Sequence, residues 1–61
     1  MEKKMLEDLQ KILNEVKWAR ENDMGDYAKM AQNDYFTLAG FVSKVLDKSV
    51  LVKNWVVYIE A

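Results

Sequence analysis

Few side chains in this 61-residue sequence could act as nucleophiles or general bases. Histidine and cysteine are both absent, so the commonest general base and the most reactive nucleophile are missing. The hydroxyl groups come from Thr37, Ser43, Ser49 and three tyrosines, and no Gly-x-Ser-x-Gly sequence surrounds either serine. The two glycines, Gly25 and Gly40, lie too far apart for a phosphate-binding loop. We therefore expect no enzymatic activity and no bound cofactor.

Potential metal ligands are concentrated in the sequence ENDMGDY, residues 21–27. Asn22, Asp23 and Asp26 offer oxygen ligands, but an EF-hand loop also needs alternating ligands and a closing glutamate, which is missing. Composition excludes zinc sites built from cysteine and histidine. We predict no metal site and interpret this stretch as a turn between helices.

The charge balance does not indicate a nucleic-acid-binding protein. Nine Lys and Arg against ten Asp and Glu give a net charge of −1, whereas such proteins usually carry a basic excess on one face. Lys44, Lys48 and Lys53 do form a modest basic patch around a single acid, Asp47. A dimer would double that patch, so a dimeric nucleic-acid-binding regulator that uses these three lysines is an alternative function.

The elements that must position any functional side chain begin with a helix over residues 2–22. Its apolar residues recur at three- and four-residue spacing and fall on one stripe at about 100° per residue. These residues are Met5, Leu9, Ile12, Leu13, Val16 and Ala19. Opposite charges four residues apart, such as Lys3 and Glu7, lie along the solvated flank and each add a few tenths of a kcal/mol.

A second helix is predicted over residues 27–47, after a turn at 23–26. Its apolar face consists of Tyr27, Met30, Ala31, Leu38, Phe41, Val42 and Val45. Gly25 suits the left-handed position that ends a helix, and Asp26 is a good N-cap for the next one. Two helices joined by so short a turn should pack antiparallel.

The C-terminal sequence SVLVKNWVVYIEA, residues 49–61, is strongly apolar. A helix would place Leu51, Val52, Trp55, Val56 and Ile59 on one face. The abundance of β-branched and aromatic residues favours a strand instead, with Lys53-Asn54 as a turn or bulge. We therefore predict an α+β fold, an antiparallel two-helix hairpin followed by a C-terminal β-strand or short hairpin over residues 49–60, completed by dimerisation. An all-α three-helix bundle is the alternative.

The length of the chain, 1–61, allows a single small domain of marginal stability. A domain of this size buries only about 60% of the surface that its unfolded form exposes. Disulfides and Cys/His metal sites are excluded, so association with another chain is the remaining way to supplement the core. A lone strand or hairpin also has unpaired backbone edges. We expect a homodimer.

The sequence gives no sign of a membrane protein or a secreted one. The longest uninterrupted apolar run, residues 55–59, is far shorter than the roughly 20 residues that span a bilayer. The N-terminal sequence MEKKMLEDLQ lacks the apolar core of a signal peptide, and the lack of cysteine fits a reducing compartment. We expect a cytoplasmic protein without membrane contact.

The predicted self-association interface combines the tail with the outer side of the second helix. Phe36 lies opposite the face of Leu38 and Val45, with Gly40 one turn later, and a small residue beside an aromatic one lets another backbone approach closely. The predicted interface residues are Phe36, Gly40, Val50, Val52, Trp55, Val57 and Ile59.

Trp18 is the candidate anchor for a larger partner. It projects almost opposite the apolar stripe of the first helix, beside Lys11, Asn14 and Asn22, and tryptophan is enriched at binding hot spots. The alternative is that the tail, or a cation–π contact with Lys11, covers it within one chain. Asp34 lies inside the apolar stripe of the second helix and should either reach water or have a partner, for example across a dimer interface.

These features predict a small non-enzymatic protein–protein interaction module. We expect a homodimer that binds and blocks, or scaffolds, a larger protein. Phages and other mobile elements often encode inhibitors of host proteins with this size and composition, and the analogy rests on size and composition alone. A further alternative is a subunit of an obligate hetero-complex that adds its C-terminal strand to a partner's sheet.

Overall fold

The computed structural model describes residues 2–60 as two helices followed by two strands. Helix α1 spans Glu2–Glu21 and helix α2 spans Gly25–Leu46. Strands β1, Ser49–Lys53, and β2, Val56–Glu60, pair antiparallel. The α+β prediction with a C-terminal hairpin is confirmed. The three-helix bundle is wrong, because the β-branched and aromatic residues of the tail pair across a sheet.

The helix boundaries differ slightly from the predicted ones. Helix α1 ends at Glu21 rather than at residue 22, and α2 spans residues 25–46 rather than 27–47, which leaves a turn of residues 22–24. The N-cap of α2 is therefore Met24. Asp26, predicted as the cap, lies in the first helical turn, where a carboxylate still interacts favourably with the helix dipole.

A Schellman cap closes the elbow at the end of α1. Asp23 has a left-handed φ of 55°. The N–H of Met24 donates to the carbonyl oxygen of Ala19 at 2.8 Å, and the N–H of Asp23 donates to the carbonyl oxygen of Arg20 at 3.4 Å. Gly25, predicted for the left-handed position, does not have a positive φ. The prediction is wrong because the cap falls two residues earlier, at an aspartate, one of the few non-glycine residues that visit this conformation.

A second bend leads from α2 into the hairpin. Asp47 has a left-handed φ of 54°, and its N–H donates to the carbonyl oxygen of Ser43. The Ser43 hydroxyl in turn donates to the carbonyl oxygen of Lys48 at 2.6 Å. The Lys48 ammonium lies 3.8 Å from the carboxylate of Glu2, at the start of α1. These contacts fix the direction in which β1 leaves α2.

The hairpin turns at Asn54 and Trp55, between the paired residues Lys53 and Val56. Both turn residues have positive φ, 53° and 63°, as in a type I′ turn. Asparagine accepts this conformation, whereas tryptophan pays on the order of 1–2 kcal/mol. The Trp55 ring packs against the core, and the Arg20 guanidinium lies 5.6 Å from its centroid. These contacts offset the strain.

The core lies where α1, α2 and the inner face of the hairpin meet. Its centre consists of Leu9, Leu13, Tyr35, Val42 and Val57. Burial raises the pKa of the Tyr35 phenol above its ordinary value. Only nine apolar residues of the described chain are buried, so the domain has little hydrophobic stability in reserve.

Gln10 fastens the hairpin to α1. Its side-chain amide donates to the carbonyl oxygen of Trp55 at 2.9 Å, and its carbonyl oxygen accepts the N–H of Val57 at 3.0 Å. The amide also donates to the Asn14 side chain at 2.9 Å, which orients it. One side chain therefore satisfies a backbone carbonyl in the hairpin turn and a backbone N–H on the outer edge of β2.

Replacing Gln10 by alanine should lower the free energy of unfolding by about 1–3 kcal/mol, because the half-buried N–H of Val57 loses its partner. Urea denaturation followed by circular dichroism measures the change. Asn14→Ala is the matched control, since it removes only the orienting bond and should cost less than half as much. Equal effects of the two substitutions would contradict this role for Gln10.

Candidate protein-binding surfaces

Large apolar side chains remain exposed on both flanks of α2, on the hairpin and at the elbow. They are Trp18, Met24, Met30, Phe36, Phe41, Val45, Val52, Val56 and Tyr58. Phe36 is 62% exposed and Phe41 60%. Five positions along a helix correspond to about 140° around it, so the two phenylalanines belong to different surfaces. Contiguous exposed apolar residues, unlike scattered ones, mark interaction sites.

The first surface, which we name the edge surface, consists of Phe36, Gly40, Val52 and the outer backbone edge of β1. Phe36 and Val52 line one pocket of about 230 Å³ between the helices and the hairpin. Its other walls are Leu13, Val16, Arg20, Gln32, Tyr35 and Trp55. The Arg20 guanidinium donates to the Gln32 side-chain oxygen at 3.0 Å, so these two polar groups satisfy each other, and the exposed lining of the pocket is mainly apolar.

Two residues of β1, Val50 and Val52, turn their backbone groups away from β2. Lys53 and Val56 close the two-residue turn and form a hydrogen-bonded pair, after which hydrogen-bonded and non-hydrogen-bonded pairs alternate. The pair of Val52 with Val57 is therefore non-hydrogen-bonded, and so is the pair that Val50 makes. Within residues 2–60 the outward groups of Val50 and Val52 meet no hydrogen-bond partner. Such an edge can be extended by another strand.

The residues predicted for self-association do not all lie on the edge surface. Val57 is only 7% exposed and belongs to the core of its own chain, so it offers no surface to a second copy. Val50 and Trp55 are half-buried against that core, and Ile59 is half-buried on the inner face of β2. The hairpin faces the helices with these residues, as an antiparallel sheet with one covered face does. The three accessible members are those of the edge surface.

The second surface, which we name the helical surface, lies on the flank of α2 away from the hairpin. It consists of Met30, Asp34, Leu38, Phe41 and Val45, together with Ile12 of α1. The apolar members of α2 were all predicted to be part of its core face, but the buried residues of α2 are Ala28, Ala31, Tyr35 and Val42. The buried face is thus rotated by about 60° from the predicted stripe. The reason is that the hairpin covers only one flank of the helix pair. The part of the predicted α2 stripe on the opposite flank stays exposed to solvent.

Asp34 lies in the middle of the helical surface and is exposed. Met30 and Leu38, four residues away on either side, are its neighbours along the helix. The carboxylate forms no hydrogen bond or ion pair within the part of the chain that the structure describes. Of the two expected alternatives, a partner within the chain or contact with water, the structure shows contact with water. On the α1 side, Leu38 and Ile12 line a shallow recess with Asp8, Lys11, Asn14 and Glu15.

Trp18 is 52% exposed, and neither the tail nor Lys11 covers it. Its ring packs edge-on against Tyr27, with the two centroids 6.4 Å apart. The Asn22 side chain donates to the carbonyl oxygen of Trp18 at 2.8 Å, and the Asn14 side chain accepts a hydrogen bond from Gln10. Both asparagines therefore stabilise the chain's own structure. Trp18 and Lys11 keep their side chains available to a partner.

The three lysines of the predicted basic patch are spread over the hairpin and the end of α2. Lys48 immediately precedes β1 and Lys53 ends it, so the two lie about 16 Å apart at the rise of an extended strand. Lys48 is also paired with Glu2. Lys48 and Lys53 therefore do not lie side by side within a single chain.

Gln10 and Tyr35 are structurally important residues that were not predicted from the sequence. Tyr35 continues the helical spacing of Ala28, Ala31 and Val42, so its burial could be read from periodicity. Gln10 carries no such signal, because it contacts residues 45 and 47 positions away.

Neither helix of the described residues has the length and hydropathy needed to cross a bilayer. The same residues contain no cluster of three or more acidic side chains arranged to hold a metal ion. The chain matches no known protein family, no curated protein and no solved structure.

Proposed function

We propose that this protein is a non-enzymatic protein-binding module that works as a symmetric dimer and presents its helical surface to a larger protein, which it blocks or scaffolds. The observation that carries the proposal is the presence of two separate uncovered apolar surfaces on one small domain. The edge surface combines side chains with an open sheet edge and suits a second copy. The helical surface lies on the other flank and stays free in that dimer.

The outward groups of β1 are spaced so that the strand can pair with itself. Antiparallel pairing centred on Leu51 places Val50 opposite Val52 of the second copy, and these are the residues with free N–H and carbonyl groups. Ser49 then lies opposite Lys53 of the second copy, so no like charges meet. The two hairpins become one four-stranded sheet, which is more stable than an isolated hairpin.

Gly40 supports the same arrangement from the helix side. It lies in the middle of α2, where glycine costs about 1 kcal/mol relative to alanine, and a Cβ built on it has no atom within 4 Å. The fold of a single chain therefore gives no reason for a glycine here. Because β1 contacts α2, pairing of the β1 edges brings α2 of each copy toward the other across Phe36 and Gly40. A glycine at that crossing permits close approach of the two helices.

The accessible surface of the single chain is also large for its mass. It amounts to 4592 Å², against about 4,100 Å² for a typical folded monomer of 7.2 kDa. The chain is elongated, with extents of 35 × 19 × 16 Å. Burying the edge surface in a dimer would reduce this excess.

Gly40→Ala should stabilise the folded monomer and destabilise the dimer. In a monomeric background such as Val52→Glu, the alanine should raise the free energy of unfolding by about 0.5–1 kcal/mol through helix propensity. In the otherwise unchanged chain it should raise the dimer dissociation constant about tenfold or more, because the methyl group separates the helices. Urea denaturation and sedimentation equilibrium measure the two effects.

Thr37→Ala is the matched control for the Gly40 experiment. Thr37 is an exposed residue of the same helix, and alanine should stabilise the monomer by a few tenths of a kcal/mol without changing dimerisation. A dissociation constant that stays the same or falls in Gly40→Ala would refute the packing of α2 against its copy.

A further inference from the structure

We propose that the helical surface binds an amphipathic helix of the partner protein, and that this helix carries a lysine or arginine within its apolar stripe to pair with Asp34. The inference rests on the proposed binding function and names the chemistry of its target.

The helical surface has the shape that a third helix requires. Helices α1 and α2 pack side by side, and the hairpin fills the groove on one flank of the pair. On the other flank, Ile12 and Leu38 form the floor of a shallow recess that stays open. A helix laid there would complete a three-helix layer opposite the sheet, by the helix-in-groove mode of recognition.

The apolar residues of this surface are of the kinds that dominate binding energy. Phe41 is 60% exposed and Met30 is 57% exposed, and Val45 continues the same flank toward the end of α2. Aromatic residues and methionine are enriched at protein interfaces, and methionine adapts its shape to different partners. Trp18 and Tyr27 extend the surface at the elbow.

The Asp34 carboxylate limits the kind of partner that can cover the apolar residues of the helical surface. Its carboxylate has no partner within residues 2–60, so it is hydrated in the free chain. A wholly apolar helix would strip that water without replacing it, which is costly for an ionised group. A second copy of this surface would bring two Asp34 carboxylates together. A cationic side chain instead satisfies the acid.

The unpaired charges on the α1 wall cancel, so they do not compete with Asp34. Glu15 makes no ion pair within the described residues, whereas Asp8 is paired with Lys4 at 3.2 Å. Lys11 lies at the rim of the recess and is the one basic residue that lines it. Lys11 offsets the charge of Glu15, so the Asp34 carboxylate leaves the groove with a net unpaired negative charge, which complements a basic helix.

The test uses a displayed library of 18-residue helices with a fixed leucine stripe and a randomised central stripe position. Selection is performed on the full chain and on its Val52→Glu variant. Lysine and arginine should dominate the central position on both, and selected peptides should bind about tenfold more tightly than their leucine versions. Asp34→Lys should switch the preference to aspartate and glutamate.

Asp26→Lys is the matched control, because it makes the same charge change at another exposed acid of α2 and should leave the preference basic. The inference is overturned if no peptide binds saturably, or if the basic preference survives Asp34→Lys. Use of the Val52→Glu variant separates the two proposals. If the Val52→Glu variant is monomeric and still binds the selected peptides, both proposed surfaces are supported. If the unsubstituted chain is itself monomeric and still selects basic helices, only the proposed dimer is overturned.

Discussion

Val52→Glu should convert the protein from a dimer into a folded monomer. Val52 lies at the open edge of β1 and is 45% exposed, so a single chain can accept glutamate there with its carboxylate in water. In the dimer the same carboxylate lies opposite Val50 of the second copy and beneath α2. Burying an unpaired charge costs several kcal/mol, and the symmetric interface contains two. We expect the dissociation constant to rise at least a hundredfold.

Val56→Glu provides the matched control for this result. Val56 is 57% exposed on β2, away from the β1 edge, and a glutamate there lies opposite Lys53. It should therefore keep the dimer with an unchanged dissociation constant in sedimentation equilibrium. Circular dichroism checks that both variants are folded. A Val52→Glu variant that dimerises as well as Val56→Glu would rule out pairing through the β1 edge.

Leu9→Ala should remove most of the folding stability. Leu9 is fully buried at the centre of the core, in contact with the second helix and the hairpin. Truncation of such a leucine costs about 2–5 kcal/mol, while a domain of this length has roughly 3–9 kcal/mol in total. We expect a chain that is largely unfolded at 37 °C, measured by thermal and urea denaturation at a fixed protein concentration.

Phe41→Ala removes a larger side chain at an exposed position and is the control for Leu9→Ala. Because Phe41 lies on the helical surface, its loss should change the free energy of unfolding by less than about 0.5 kcal/mol. Similar destabilisation by the two substitutions would show that the helical surface is buried in the folded protein, which would contradict its assignment as a binding site.

Local chemistry made the secondary structure predictable. The three- and four-residue spacing of Leu9, Leu13 and Val16 indicates a helix whatever lies around it, and the β-branched residues of the tail indicate strands. The turn was only partly signalled, because Asn54 suits a type I′ turn but Trp55 takes the position usually held by glycine. Its conformation is stabilised by contacts with Arg20 and the core, which lie far away in sequence.

The orientation of α2 could not be derived from its own sequence. Its apolar stripe is wider than the face that the fold covers, and periodicity gives the centre of the stripe rather than the part that is buried. The position of the hairpin on the helix pair decides which part is buried, and Gln10 fixes that position through hydrogen bonds to the backbone of Trp55 and Val57. The consequence is that Phe41 and Met30, predicted as core residues, are exposed in the fold. Phe36 and Gly40, which contradict their local pattern in the sequence, are exposed in the fold, and their place in an interface stays a prediction.

Sedimentation equilibrium of the full chain over a range of concentrations is the most direct test of self-association through the β1 edge. We predict a species of twice the 7.2 kDa chain mass that dissociates on dilution and is lost in Val52→Glu. A folded chain that stays at 7.2 kDa at every concentration would contradict the symmetric dimer, and the open edge of β1 would then be a site for a strand of another protein.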